Sequence, residues 1–185
     1  LKVCQCRSKE LAECYEHSGM ADYTSYKIEN YRADYLGDPK KREKIRSELL
    51  RFMSGQNEDN ESSLCIFSAA PQTGKTFLAI VICKTAINLG KSAYYCKCED
   101  LAVIGTDTLE DLKRIDFLVL DDFADSVTMT NNVGSILNNI LEIRAASKLP
   151  TVLVTPFPKN ELVNKCDMRI SGKLSSAKLI SKEGR

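Results

Sequence analysis

The sequence contains no apolar run approaching the roughly 20 residues needed to cross a bilayer, so no membrane-spanning helix and no membrane partner are expected. It carries almost no charge surplus. Lys and Arg number 26 against 25 Asp and Glu, a net charge of +1, which excludes a histone-like, general polyanion binder. Residues 1–6 have no apolar stretch, so no secretory signal is expected there and the cytoplasm, bacterial or that of a phage host, is the expected compartment. No internal repeat and no long low-complexity segment occurs, which sets repeat architectures aside.

Cysteine is abundant by comparison: eight in 185 residues. Without a signal sequence these are expected to be reduced thiols, with room for one metal site, rather than a disulfide framework. A hydrophobic content of 43% suits one globular domain with a small appendage. Charge is uneven along the chain. Acids dominate from Glu99 to Asp125, while 40–46 and 159–185 are basic.

Residues 1–30 are polar, rich in Cys and Tyr, and weakly patterned. Pro39 opens a predicted helix over Pro39–Met53. Residues 54–63 hold no large apolar side chain and are expected to form a linker. Short apolar runs then alternate with helical patterns. Strands are predicted at 64–68, 92–98, 117–120, 151–155 and 177–181. Helices are predicted at 75–89 (stopped by Gly90), 108–114, 131–147 and 159–164. Such alternation implies an α/β fold whose parallel sheet is flanked by helices on both faces, with right-handed crossovers.

The strongest motif is Ala69-Ala70-Pro71-Gln72-Thr73-Gly74-Lys75-Thr76, between a predicted strand and a predicted helix. It fits the phosphate-binding loop G-x-x-x-x-G-K-[ST], with Ala69 in place of the first Gly. Backbone N–H groups in such a loop form a nest for phosphate at a helix N-terminus. Gly74 allows close backbone approach, Lys75 can reach the β- and γ-phosphates of ATP, and the Thr76 hydroxyl suits Mg²⁺.

A second apolar run, Phe117-Leu118-Val119-Leu120, ends in Asp121-Asp122. Asp121 stands where P-loop enzymes hold Mg²⁺, and Asp122 where a base would polarise the attacking water. A third buried strand, 151–155, ends in Thr155, whose hydroxyl is a candidate γ-phosphate sensor; plain strand termination explains the same residue.

These elements in this order resemble the AAA+ ATPases, specifically the DnaC/DnaI-type helicase loaders. Ser18-Gly19-Met20, Tyr26 and Glu29-Asn30-Tyr31 resemble that family's lead-in. The passage from Arg144 to Thr151 resembles its "RR-ss-k-PT" stretch, and the last four residues resemble its closing "G-x-x-R". The resemblance implies a P-loop AAA+ core over residues 31–185 behind a Cys-rich segment, 1–30. It implies a nucleotide site of Ala70, Pro71, Gln72, Thr73, Gly74, Lys75, Thr76 and Asp121, with Mg²⁺ held by Thr76 and Asp121. Asp122 and Thr155 take catalytic places. Arg169 becomes an arginine finger reaching a neighbouring subunit of a homo-oligomer. The implied partners are a replicative DNA helicase and single-stranded DNA, and the implied activity is ATP hydrolysis. Gln72 replaces a common Gly, Asp122 a common Glu, and Pro156-Phe157 a polar pair. Slow hydrolysis, and hence a nucleotide-binding adaptor, therefore stands beside the loader, as does an IstB-like transposition ATPase.

Cys4, Cys6, Cys14 and His17 have zinc-ligand chemistry in one short stretch. Cys4 and Cys6 alone fit the remainder of a larger zinc module, as the family resemblance implies, and His17 also fits a solvated helix. Cys65, Cys83, Cys96, Cys98 and Cys166 are expected to be small buried hydrophobes. The basic run from Lys40 to Arg46 is either a solvated face or a nucleic-acid contact, with Tyr31 and Tyr35 nearby for stacking.

Overall fold

Five short segments are each too brief for an amphipathic helix and become strands, three of them (64–68, 117–121 and 151–155) buried along their whole length. The computed structural model describes residues 13–23, 25–26, 39–54, 63–68, 73–124, 131–166 and 168–181. The elements in chain order are α1 (Pro39–Met53), β1 (Leu64–Ser68), α2 (Lys75–Asn88), β2 (Ala93–Lys97), α3 (Thr106–Leu112), β3 (Phe117–Asp121), α4 (Asn131–Ala146), β4 (Thr151–Thr155), α5 (Lys159–Lys165), α6 (Met168–Ser175) and β5 (Lys178–Ser181). The sheet order is β2-β3-β4-β1-β5, and every pairing is parallel.

Alternate residues of each strand divide between two cores, as a period of two requires. Cys65, Phe67, Phe117, Val119, Val152 and Val154 face one core, closed by Ile45, Leu49 and Phe52 of α1 and by Leu78, Ile82 and Cys83 of α2. Leu64, Ile66, Leu118, Leu120 and Leu153 face the other, closed by Val133, Leu137, Ile140 and Leu141 of α4 with Leu162, Ile170 and Leu174. The three-layer α/β architecture read from the sequence is the one formed. No described helix is long and apolar enough to cross a membrane.

Local differences from the sequence reading have simple causes. Helix α2 ends at Asn88 because Gly90 takes a left-handed conformation (φ 81°), letting Lys91 N–H bond back to Ala86 O at 3.0 Å. Helix α3 starts two residues earlier than expected, since extended Gly105 caps it. Strand β2 stops at Lys97, so Cys98 opens a short 3-10 turn instead of continuing the strand. Strand β3 runs one residue further, because Asp121 pairs with Lys97 of β2. Helix α6 was not expected from the sequence. Its apolar contacts, Ile170 and Leu174, sit four apart on a segment otherwise rich in Ser, Gly and charge.

Part of the N-terminal Cys-rich segment is built into the core. Met20 is fully buried, with Tyr15, Tyr23 and Tyr26 packed beside it. The buried Lys84 of α2 secures this stretch by donating to the carbonyls of Tyr23 and Tyr26, and Tyr15 Oη donates to Asn88 Oδ1 at 2.7 Å. Gly19 has φ 72°, and a Cβ there would lie 2.0 Å from Tyr95 O. Gly19→Ala is therefore expected to lift the segment off β2 and cost about 1–3 kcal/mol. Urea unfolding measures it, and an unchanged midpoint would mean that Gly19 does not lie against the strand.

Candidate nucleotide site

The site lies at the C-terminal ends of β1 and β3, where parallel α/β sheets place their ligands. Gly74, at φ 76° and ψ 18°, occupies the left-handed region that glycine adopts without steric cost, and it starts α2. The turn points the first N–H groups of α2 outward, the arrangement that favours an anion. Thr73 is buried beside it, whereas Ala69, Ala70, Pro71 and Gln72 lie outside the described residues.

Lys75 is only 9% exposed, and no hydrogen bond or ion pair joins its ammonium to any described residue. Asp121 is fully buried at the end of β3. It accepts hydrogen bonds from Tyr95 Oη on Oδ2 at 3.0 Å and from Asp122 N–H on Oδ1 at 2.8 Å, and a further one from the Thr76 side chain. No basic side chain among the described residues forms an ion pair with it. Burial pushes its carboxyl above the ordinary Asp range, against the hydrogen bonds from Thr76 and Asp122 that favour the charged form. Among the described residues, neither the buried Lys75 ammonium nor the buried Asp121 carboxylate has a countercharge. Phosphate against Lys75 and a divalent cation against Thr76 and Asp121 satisfy both, so the donor set fits a Mg²⁺-nucleotide.

Asp122 follows in a strained turn, at φ 52°, and Ala124 is at φ 66°. Strand β4 holds that turn in place. Phe123 N–H donates to Val154 O at 2.9 Å, and Thr155 Oγ1 donates to Phe123 O at 2.9 Å while accepting from Phe157 N–H at 3.2 Å. The Thr155 hydroxyl is thus engaged by backbone, and contact with a γ-phosphate would require it to leave Phe123. The turn brings Asp122 Oδ2 to 3.7 Å from Lys97 Nζ, at a half-exposed position.

Arg169 is exposed on the first turn of α6. Arg144 proves to be structural. It is 1% exposed and donates to Leu112 O, Ile115 O and Pro150 O at 2.8 Å and to Thr151 Oγ1 at 2.7 Å. Cys65, Cys83, Cys96 and Cys98 are buried, and Cys166 is half-buried. Burial pushes the Cys96 thiol up to about 12 and those of Cys83 and Cys98 upward too, so all three are inert thiols.

Cys4 and Cys6 lie outside the described residues, as do Tyr31 and Tyr35 and residues 182–185. Cys14 and His17 are exposed. Among the described residues no group of three or more His, Cys, Asp or Glu is placed to hold a metal. Sequence reading missed Tyr95 and Lys84. Neither belongs to a motif, and only strand pairing and the docked N-terminal stretch reveal their polar partners.

No family model matches the chain. Over 180 residues it is 27% identical to the replicative helicase loader DnaC of Escherichia coli (strain K12), an alignment covering 91% of this chain and 71% of that protein. Its structure is similar to the crystal structure of the DnaC helicase loader, with a TM-score of 0.68 at 17% identity over 86% of this chain and 98% of that one. It is also similar to the replication initiator DnaA bound to AMPPCP and single-stranded DNA, with a TM-score of 0.68 at 17% identity over 88% of this chain and 51% of that one. The chain thus spans about half the length of that DnaA structure. The fold is that of the AAA+ P-loop ATPase domains, and the sequence is similar to helicase loaders.

Proposed function

We propose that this chain is an ATP-dependent loader of a replicative DNA helicase. The observation that carries the nucleotide half is the pair of buried charges, Lys75 at the start of α2 and Asp121 at the end of β3, neither with a countercharge among the described residues. Similarity to DnaC over nine tenths of the chain supports the loader half. Lys75 and the N-terminus of α2 bind the β- and γ-phosphates, with residues 70–74 completing the loop. Thr76 and Asp121 hold Mg²⁺, which when bound neutralises charge on the phosphate oxygens. Asp122 orients and polarises the attacking water. Arg169 of one copy reaches the nucleotide of the next in a homo-oligomer, so turnover rises on assembly. The partners are the helicase and single-stranded DNA, and the place of action is the cytoplasm. The ATPase domain spans residues 31–185, and Tyr15, Met20, Tyr23 and Tyr26 of the segment before it pack on its core.

One observation favours a variant of this reading, in which occupancy matters more than turnover. Asp122 is a methylene shorter than glutamate, and its carboxylate is engaged by Lys97 Nζ at 3.7 Å rather than left open to a water. Asp122→Ala tests the assignment. ATP binding is expected to stay within about twofold of wild type while turnover falls at least about 100-fold, the usual order for a lost general base. Single-turnover hydrolysis beside a binding titration measures both; undiminished turnover removes Asp122 from the mechanism.

A further inference from the structure

The hydrogen bond from Tyr95 to Asp121 has no part in the reading just given. Tyr95 is buried on β2, and its hydroxyl is 3.0 Å from Oδ2 of the carboxylate assigned to Mg²⁺. Strand register explains the reach. Tyr95 pairs with Val119 and Lys97 with Asp121, so Tyr95 and Asp121 are diagonal neighbours on one face of adjacent strands.

The phenol ring is held in turn from the N-terminal stretch. Tyr23 meets Tyr95 edge-on, with ring centroids 5.3 Å apart at 80°. Tyr26 lies 5.2 Å from Tyr23 and stacks on Phe77 at 4.6 Å and 26°. Phe77 directly follows Thr76 in the chain. A row of four rings therefore runs from one candidate Mg²⁺ ligand, Asp121, around to the other, Thr76. Lys84 fixes the middle of the row through the carbonyls of Tyr23 and Tyr26, and Gly19 lets the stretch close against Tyr95 O. An edge-on ring contact constrains the phenol's orientation. With Asp122 N–H on Oδ1 and the Tyr95 hydroxyl on Oδ2, each carboxylate oxygen still keeps acceptor capacity for a hydrated cation.

We propose that Tyr95, held by Tyr23, is a positioning residue that orients Asp121 for Mg²⁺. The inference rests on the nucleotide-site reading above. Hydrogen bonds to metal-binding carboxylates set their orientation, and losing one typically weakens metal binding 10–100-fold. Tyr95 acts on Mg²⁺ dependence and leaves the grip of Lys75 on phosphate untouched.

The test is Tyr95→Phe in the full chain, with a fluorescent ATP analogue titrated at fixed Mg²⁺ and then Mg²⁺ titrated at saturating nucleotide. The Mg²⁺ concentration for half-saturation is expected to rise about tenfold, with affinity for Mg²⁺-free nucleotide unchanged. Tyr23→Leu is expected to move it the same way by roughly threefold, a fraction of that loss. The sequence has no Trp, so tyrosine emission is directly readable. Wild type is expected to show a step on adding Mg²⁺ to the nucleotide complex that Tyr95→Phe lacks. A wild-type Mg²⁺ curve in Tyr95→Phe overturns the inference, as does an equal loss of Mg²⁺-free binding, which marks a merely structural residue. A wild-type chain that binds no nucleotide under either condition overturns the parent reading and takes this one with it.

Discussion

Lys75→Ala is expected to weaken ATP binding by at least about 100-fold while leaving the nucleotide-free protein as stable as wild type or more so. The two halves of this result have one cause. An ammonium that is 9% exposed and has no partner among the described residues raises the free energy of the empty protein. Its removal relieves that cost, about 1–3 kcal/mol for a polar group. With nucleotide present the same charge makes short, charge-assisted hydrogen bonds to phosphate in a water-poor site, and about 3–5 kcal/mol is lost when one partner goes. A loss of that size is about two to nearly four orders of magnitude in affinity. Calorimetric titration gives the affinity, and thermal unfolding with and without ATP gives the linkage. Wild type should gain unfolding temperature with ATP and the variant should not. A variant that is less stable when empty and binds normally would make Lys75 a structural residue.

The second large effect is expected far from the phosphate site. Arg144 caps three backbone carbonyls and Thr151 at the junction of α3, α4 and β4. Burial pulls its guanidinium down to about 10, with the Asp116 charge opposing that shift, so it stays charged at neutral pH. Arg144→Met fills much of the volume but leaves the carbonyls of Leu112, Ile115 and Pro150 without that donor. A loss of about 3–5 kcal/mol is expected, which lowers the unfolding temperature by roughly 10 °C in a chain of this size. Arg144→Lys should recover only part of it, because one ammonium cannot reproduce a planar fork spread over four acceptors. Chemical denaturation of the three proteins checks this, and a lysine variant as stable as wild type would contradict the geometry. Nucleotide affinity should be wild type in whatever remains folded.

What the sequence made legible follows from how much of each signal is local. Strands buried on both faces announce themselves as continuous apolar runs, and β1, β3 and β4 were readable for that reason. The turn before α2 was readable because phosphate binding demands glycine, lysine and a hydroxyl at fixed spacing. Helix α6 was not, since only Ile170 and Leu174 carry its apolar face and a glycine interrupts it. In the sequence Arg144 is marked only by the family-like passage that it opens. That it is buried depends on α3 and β4 meeting α4, contacts that span dozens of residues. Tyr95 is the clearest case. In the strand pattern it is one more inward aromatic, and its hydroxyl acquires a partner only when β2 pairs with β3 in one register. The N-terminal stretch was read as an appendage because its apolar residues are sparse, yet Met20 and three tyrosines suffice to seat it once Gly19 permits the approach.

The most direct test of the central claim is retention of the host's replicative helicase on the tagged full-length protein, with and without ATP, for wild type and Lys75→Ala. The account predicts that wild type retains the helicase when ATP is present and that Lys75→Ala loses this ATP-dependent retention. Equal retention by both proteins whatever the nucleotide, or capture of a transposase and no helicase, would contradict it.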